Sequence, residues 1–389
     1  MVNETATGCK PKRLESPDII KGLVILVILT FHILFQQEKN MTTGNNEQAL
    51  ILQILYTGLM VFFIISGYFF RPGRSYSENV KKRALQLIVL VSACILVFPL
   101  ILYGWCWVIG QPMDPSAYFQ YSLIRLIGPE EIGQPFTLDM EKNAIDVFAG
   151  YYFLQCMFVG FLMFYALADK VLNDPKKFVL AVFVLLCGAW LVRAIGYNLP
   201  FYFGLGCAAA AFMLVGALMG KHKVIEYLEE RDVKDKKYWL YILIALVVTV
   251  VVGFLFHPGT GFYANSFGTY SNDWGVFQGA SIFPYFVLSC STGYLIIVIS
   301  TWLCKVPGLS KFLSVIGKHT LAILLLHEFV VKMIAAPFYP LTDNAAFPTM
   351  PMPFAICMIF VALGAGLLAA KYAPIILQKI MGTKKPAKE

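Results

Sequence analysis

His32 lies in an apolar run, Asp18-Ile-Ile-Lys21-Gly-Leu-Val-Ile-Leu-Val-Ile-Leu-Thr-Phe-His32, that places a cation at one mouth of a hydrophobic segment and an imidazole deep within it. Eleven residues make about three helical turns, so Lys21 and His32 share one helical face roughly 16 Å apart. An ionisable side chain inside hydrocarbon is costly and marks a functional site by default. Imidazole changes protonation near neutral pH, the property a general base needs; it can also act as a nucleophile.

A second such stretch reads Ile316-Gly317-Lys318-His319-Thr320 and continues through Leu321 to Leu326-His327-Glu328. Lys318 and His327 are separated by about 13 Å of helical rise, which puts His327 at a depth comparable to that of His32 and lets the two face one cavity. Glu328 adds a carboxylate able to orient a base. His319 reads as interfacial, and neither His222 nor His257 has neighbours that suggest a role.

A third constellation is Phe62-Phe63-Ile64-Ile65-Ser66-Gly67-Tyr68-Phe69-Phe70-Arg71, followed by Arg74 and Lys81-Lys82-Arg83. Gly67 permits close backbone approach, Ser66 can donate a hydrogen bond, and the cations can hold phosphates. Small-residue packing and topology signals account for the same letters. Asp18 and Lys21, three apart, can pair on one helical face, or Asp18 caps the helix while Lys21 snorkels to the headgroups.

The elements that must position these groups are membrane spans. The chain has 389 residues, 58% of them hydrophobic and 14% charged, with a mean hydropathy of +0.69; a soluble domain carries about 25% charge. About ten apolar segments, each long enough to cross ~30 Å of hydrocarbon, occupy nearly all of it. They run from Asp18 to Phe35, Leu50 to Phe70, Ala84 to Ile109, Val147 to Leu167, Phe178 to Ala194, Phe201 to Met219, Tyr238 to Phe256, Ile282 to Leu303, Phe312 to Ile334 and Phe354 to Leu377. The expected fold is an all-α polytopic bundle: a tail over 1–17, a transmembrane domain over 18–377 and a basic tail over 378–389.

With the amino terminus inside, the cytoplasmic connections and both tails collect nearly all the lysines and arginines, including Arg71, Arg74, Lys81, Lys82, Arg83, Lys176, Lys177, Lys236 and Lys237. The opposite loops hold only Lys39, Arg125 and Lys142. The positive-inside rule therefore predicts both termini in the cytoplasm of a cell-membrane protein. The net charge of +8 is a topology signal; spread over short loops, it builds no groove for nucleic acid. The first segment lacks a small-residue cleavage site and reads as a retained span.

The loop from Gly110 to Asp146 is acidic and irregular, suited to shaping an external entrance, and the loop from His257 to Gln278 is rich in Gly, Asn, Tyr and Trp, suited either to sugars or to an aromatic belt. Eight of nine cysteines fall in or beside spans, without Cys-x-x-Cys spacing. Neither a disulfide framework nor a metal is expected. No internal repeat is visible.

Asp18-x-x-Lys21-Gly22 with His32, Phe62-Phe63-Ile64-Ile65-Ser66-Gly67-Tyr68 with Lys82-Arg83, Phe153-Leu154, and Ile316-Gly317-Lys318-x-Thr320-Leu321 with His327 resemble, in order and spacing, the integral-membrane acyltransferase-three family. The resemblance implies an enzyme that moves acyl groups, commonly acetyl from acetyl-CoA, onto hydroxyls of polysaccharides and related surface acceptors. Two departures stand out: Lys21 where the family most often has Arg, and Tyr151-Tyr152 where a Trp often precedes Phe-Leu. Transfer is expected without the extra hydrolase-like domain that some members carry.

On this resemblance His32, with His327 and Glu328, is the expected catalytic centre. Lys21, Asp18, Arg74, Arg83, Ser66, Gly67 and Tyr68 are expected to bind the acyl-CoA donor, with phosphates on the cations and oxyanion donors among Ser66, Gly67 and Tyr68. A pantetheine arm of roughly 15 to 20 Å matches the rise from Lys21 to His32. The acceptor is expected to be a carbohydrate or lipid-linked glycan arriving from outside. A proton-coupled transporter or flippase for a polar lipid or sugar is the rival reading, which the lack of repeats disfavours.

Overall fold

A computed structural model describes residues 14–30, 32–33, 57–110, 122–123, 126–127, 151–195, 199–231, 235–256, 282–338 and 350–380. The two external loops discussed above lie largely or wholly outside these residues, as does the first part of the second span. Every regular element among the described residues is helical. Backbone amides in hydrocarbon must be satisfied within their own segment, which the long apolar runs achieve as helices.

In chain order the helices are α1 (Ser16–Thr30), α2 (Val61–Tyr68, entered through a 3-10 turn at Gly58–Met60), α3 (Tyr76–Arg83), α4 (Leu90–Val108), α5 (Tyr152–Val171), α6 (Pro175–Ile195) and α7 (Phe203–Lys221). They continue with α8 (Val224–Glu230), α9 (Lys236–Phe256), α10 (Ile282–Leu303), α11 (Leu309–Lys318), α12 (Thr320–Ala335) and α13 (Met352–Ile380). Among the described residues seven continuous helices are long and apolar enough to cross a membrane, and the pair α11 and α12 makes an eighth candidate. The first two expected spans appear as the shorter α1 and α2, whose continuations fall outside the described residues.

Two expectations change. The third span does not begin at Ala84: helix runs from Tyr76 through a π-helical turn at Ala84–Val89 into α4. Hydropathy marks only the lipid-embedded part of a helix, whereas the polar turns of α3 are good helix formers and carry the ladder outward. The expected straight span from Phe312 to Ile334 is two helices bent by 78°. His319 leaves helical geometry at φ −113°, ψ 15°, and the Thr320 hydroxyl donates to the Gly317 carbonyl at 2.8 Å, satisfying an acceptor at the break.

Apolar lipid supplies no hydrophobic drive between helices, so close packing on small residues holds the bundle together. At its centre stands α7, whose Gly206, Ala208, Ala209, Ala210, Gly216 and Ala217 are buried. A Cβ at Gly67 would collide with the Met213 carbonyl, and one at Gly216 with the Ile64 carbonyl, so α2 and α7 touch backbone to backbone. A second crossing joins α1 to α11: a Cβ at Gly22 would strike the Leu313 carbonyl, and one at Gly317 the Asp18 carbonyl. In contrast α6 and α9 turn Val179, Phe183, Leu243, Val247 and Val251 outward as a lipid-facing surface.

Candidate active site

The α1–α11 glycine crossing sets the azimuth of α1, and beyond the bend at His319 the third turn of α12 brings His327 to His32. His32 sits in a π-turn just beyond α1. Its Nδ1 lies 3.1 Å from His327 Nε2, the two rings meeting edge to edge with centroids 5.4 Å and planes 22° apart. The His327 side chain is fully buried and that of His32 only 12% exposed. The two histidines therefore meet, as expected, although the continuous helical rise from which their common depth was reckoned is broken.

Hydrogen bonding settles which nitrogen is available. His327 Nδ1 lies 2.7 Å from the Leu324 carbonyl, which can only accept, so this nitrogen carries the ring proton and Nε2 the lone pair. His32 Nδ1 must then donate to that lone pair. In that tautomer the lone pair of a neutral His32 falls on Nε2.

Glu328 is buried, with one carboxylate oxygen 3.8 Å from His32 Nδ1 and 3.7 Å from His327 Nε2. Those distances are too long for hydrogen bonds. One helical turn further along α12 stands the fully buried Lys332. Sequence analysis did not single it out; the Glu-x-x-x-Lys spacing inside an apolar run was the available signal.

Three contacts clamp α12 in this position. The Tyr151 hydroxyl donates to the Leu325 carbonyl at 2.6 Å, Trp105 Nε1 to the Met333 carbonyl at 2.9 Å, and Phe98 stacks on Phe329 at 4.5 Å. Tyr151 thus does a positioning job at the place where the chain departs from the family pattern. Phe153, from the neighbouring Phe-Leu pair, stacks on Phe63 at 4.5 Å and ties α5 to α2.

The residues expected to bind the donor separate into three groups. Ser66, Arg74 and Arg83 line a cavity of about 70 Å³ together with Arg71, Lys82 and Asn79. Arg83 is held there by Tyr165 at 3.3 Å, by Gln86 at 3.2 Å and by the Phe161 face 4.3 Å beneath its guanidinium. Ser66 donates to the Phe62 carbonyl at 2.7 Å, so its hydroxyl proton is engaged within its own helix and not aimed at a ligand.

Gly67 belongs to the α2–α7 crossing. The Tyr68 hydroxyl donates to Glu226 and accepts from the Ile225 amide, so it latches α2 to α8. Lys21 pairs with Asp18 at 2.8 Å. Asp18 borders a separate cavity of about 370 Å³ between α1 and α11, along with Lys311 and Lys318. Neither Lys21 nor Asp18 is among the residues lining the arginine-rich cavity.

No curated protein and no solved structure matches the chain. A family model described as an acyltransferase domain matches residues 14–371, a region that includes His32, the arginine-rich cavity and the His327-Glu328 pair. A helical, multi-pass membrane architecture and that match, which covers nearly the whole chain, lead to one assignment: the protein belongs to the acyltransferase-three family and is a membrane acyltransferase.

Proposed function

We propose that the protein is an O-acyltransferase that takes an acyl group, acetyl in the simplest case, from cytoplasmic acyl-CoA. It passes the group to a hydroxyl of a carbohydrate or lipid-linked glycan on the extracytoplasmic side of the cell membrane. The observation that carries this reading is the tautomer chain Leu324 carbonyl, His327, His32, which leaves His32 Nε2 as an oriented base inside the membrane. Both termini face the cytoplasm in this reading, on the strength of the basic connections.

In the reaction, the acceptor hydroxyl oxygen attacks the thioester carbonyl as His32 Nε2 takes its proton. The imidazolium so formed keeps its Nδ1–H on His327, which holds the ring in place as the tetrahedral intermediate develops. Collapse breaks the carbon–sulfur bond, and the departing CoA sulfur takes the proton back from His32 Nε2. The thiol of CoA and an O-acyl ester result.

Arg71, Arg74, Lys82 and Arg83 supply four cations around one small cavity, the charge that nucleotide phosphates require. Arg83, pinned by Tyr165 and Phe161, supplies a planar fork for two phosphate oxygens. The deciding test is purified protein in detergent, supplied with acetyl-CoA and candidate glycans. CoA release that depends on the glycan and disappears in His32→Ala supports the reading; glycan-independent release, or none, overturns it.

A further inference from the structure

His32 Nδ1, His327 Nε2 and one Glu328 oxygen form a triangle with edges of 3.1, 3.8 and 3.7 Å. The point equidistant from all three lies about 2.1 Å from each, the length of a Zn–N or Zn–O bond, and the two imidazoles must each turn by about 40° from their head-on contact to aim a lone pair at it. Each edge is within about 0.5 Å of the roughly 3.4 Å between ligands in a tetrahedral zinc site. The three ligand atoms all lie within 4.8 Å of one another.

The surroundings also suit a metal. His327 donates Nδ1–H to the Leu324 carbonyl at 2.7 Å, the outer-shell contact that turns an imidazole's other nitrogen towards an ion. Glu328 stands too far from either ring to hydrogen-bond, yet equidistant from both, which an ion between them would exploit. Two imidazoles and one carboxylate favour zinc-class ions over magnesium or calcium, which prefer oxygen. His32 is the least buried of the three. The Lys332 ammonium one turn away opposes any cation, so binding is expected to be reversible and weaker than in a structural zinc site.

We propose that His32, His327 and Glu328 form a binding site for a zinc-class divalent ion, and that its occupation switches off acyl transfer. Coordination uses the His32 Nδ1 lone pair, so the proton that Nδ1 carried moves to Nε2. No proton is lost overall, but Nε2 becomes N–H and can no longer accept the acceptor's proton. The inhibitory half rests on the general-base reading of His32; the binding half does not. The expectation of no metal rests on cysteine spacing alone; the two histidines, 295 residues apart, form no local motif.

The test uses the full chain without a polyhistidine tag, in detergent, titrated with zinc chloride and in parallel with cobalt chloride. About one ion per chain is expected, with the intense visible bands of low-coordinate cobalt. Binding should be lost in His327→Ala and weakened at least about tenfold in Glu328→Gln. Equal zinc binding by wild type and a His32→Ala/His327→Ala double variant overturns the site. Should the variants fold poorly, wild type alone decides: zinc, but not magnesium, must raise its melting temperature, with chelator reversing the gain.

Where glycan-dependent CoA release is measurable, saturating zinc should lower it at least about tenfold and chelator should restore it. Zinc bound with transfer unchanged overturns the inhibitory half. Absence of transfer with any acceptor sinks the O-acyltransferase reading and the inhibition with it, whereas the titration still decides the metal site.

Discussion

The histidine cluster and the arginine-rich cavity put similar numbers of ionisable groups to opposite uses. In the first, His32, His327, Glu328 and Lys332 lie among apolar helices, and a proton's position on one ring decides its position on the next. In the second, Arg71, Arg74, Lys82 and Arg83 lie at the exposed head of the α3–α4 helix, where charge attracts a ligand but does not direct a proton. Burial makes each interaction strong and each loss severe; exposure makes each contact weak and partly replaceable. Chemistry is expected in the dry cluster and recognition in the wet one.

Four substitutions test that division. The largest effect is expected from His32→Ala, which removes the base and should lower glycan-dependent CoA release by on the order of 10² to 10⁴. Retention of more than about a tenth of wild-type turnover would remove His32 from both the general-base and the acyl-enzyme routes. His327→Ala comes next: His32 loses the acceptor that fixes its tautomer, and kcat should fall about ten- to hundredfold with the KM for acetyl-CoA unchanged. A rise in KM alone would move His327 from the chemistry to donor binding.

At the other site the pattern should invert. Arg74→Ala/Arg83→Ala is expected to raise the KM for acetyl-CoA about tenfold while kcat stays within about threefold, and to flatten the salt dependence of KM. A fall in kcat with KM unchanged would erase the distinction between the two regions. The smallest effect is assigned to Lys21→Ala, since its ammonium already pairs with Asp18 at 2.8 Å and lies away from the arginine cavity. Calorimetry should show donor affinity weakened about two- to threefold and Lys21→Arg close to wild type. Equal affinity for Lys21→Ala and wild type would make Lys21 an interfacial anchor.

The motif around Ser66-Gly67-Tyr68 shows where reading the sequence reached its limit. All three residues were expected to bind the donor, but one lines the cavity with its proton engaged, one enables a helix crossing, and one latches a short helix. Adjacent residues on a helix point about 100° apart, so a contiguous motif need not serve a single site. Tyr151 shows the converse: noted only as a departure from the family pattern, it proves to hold α12 beside the histidines.

What the sequence determined by itself is everything that depends on local pattern. Runs of apolar residues specify membrane helices and mark the ionisable residues set inside them. What only the tertiary structure decided is azimuth and breakage. The 78° bend at His319, the glycine crossing of α1 on α11 and the clamp of Tyr151 on α12 turn two imidazoles from distant segments into a pair 3.1 Å apart. They also set Glu328 evenly between the rings and Lys332 within the same buried wall. Hydropathy is a one-dimensional signal that fixes depth, whereas the rotation of each helix about its axis is chosen by the packing of small residues against their neighbours.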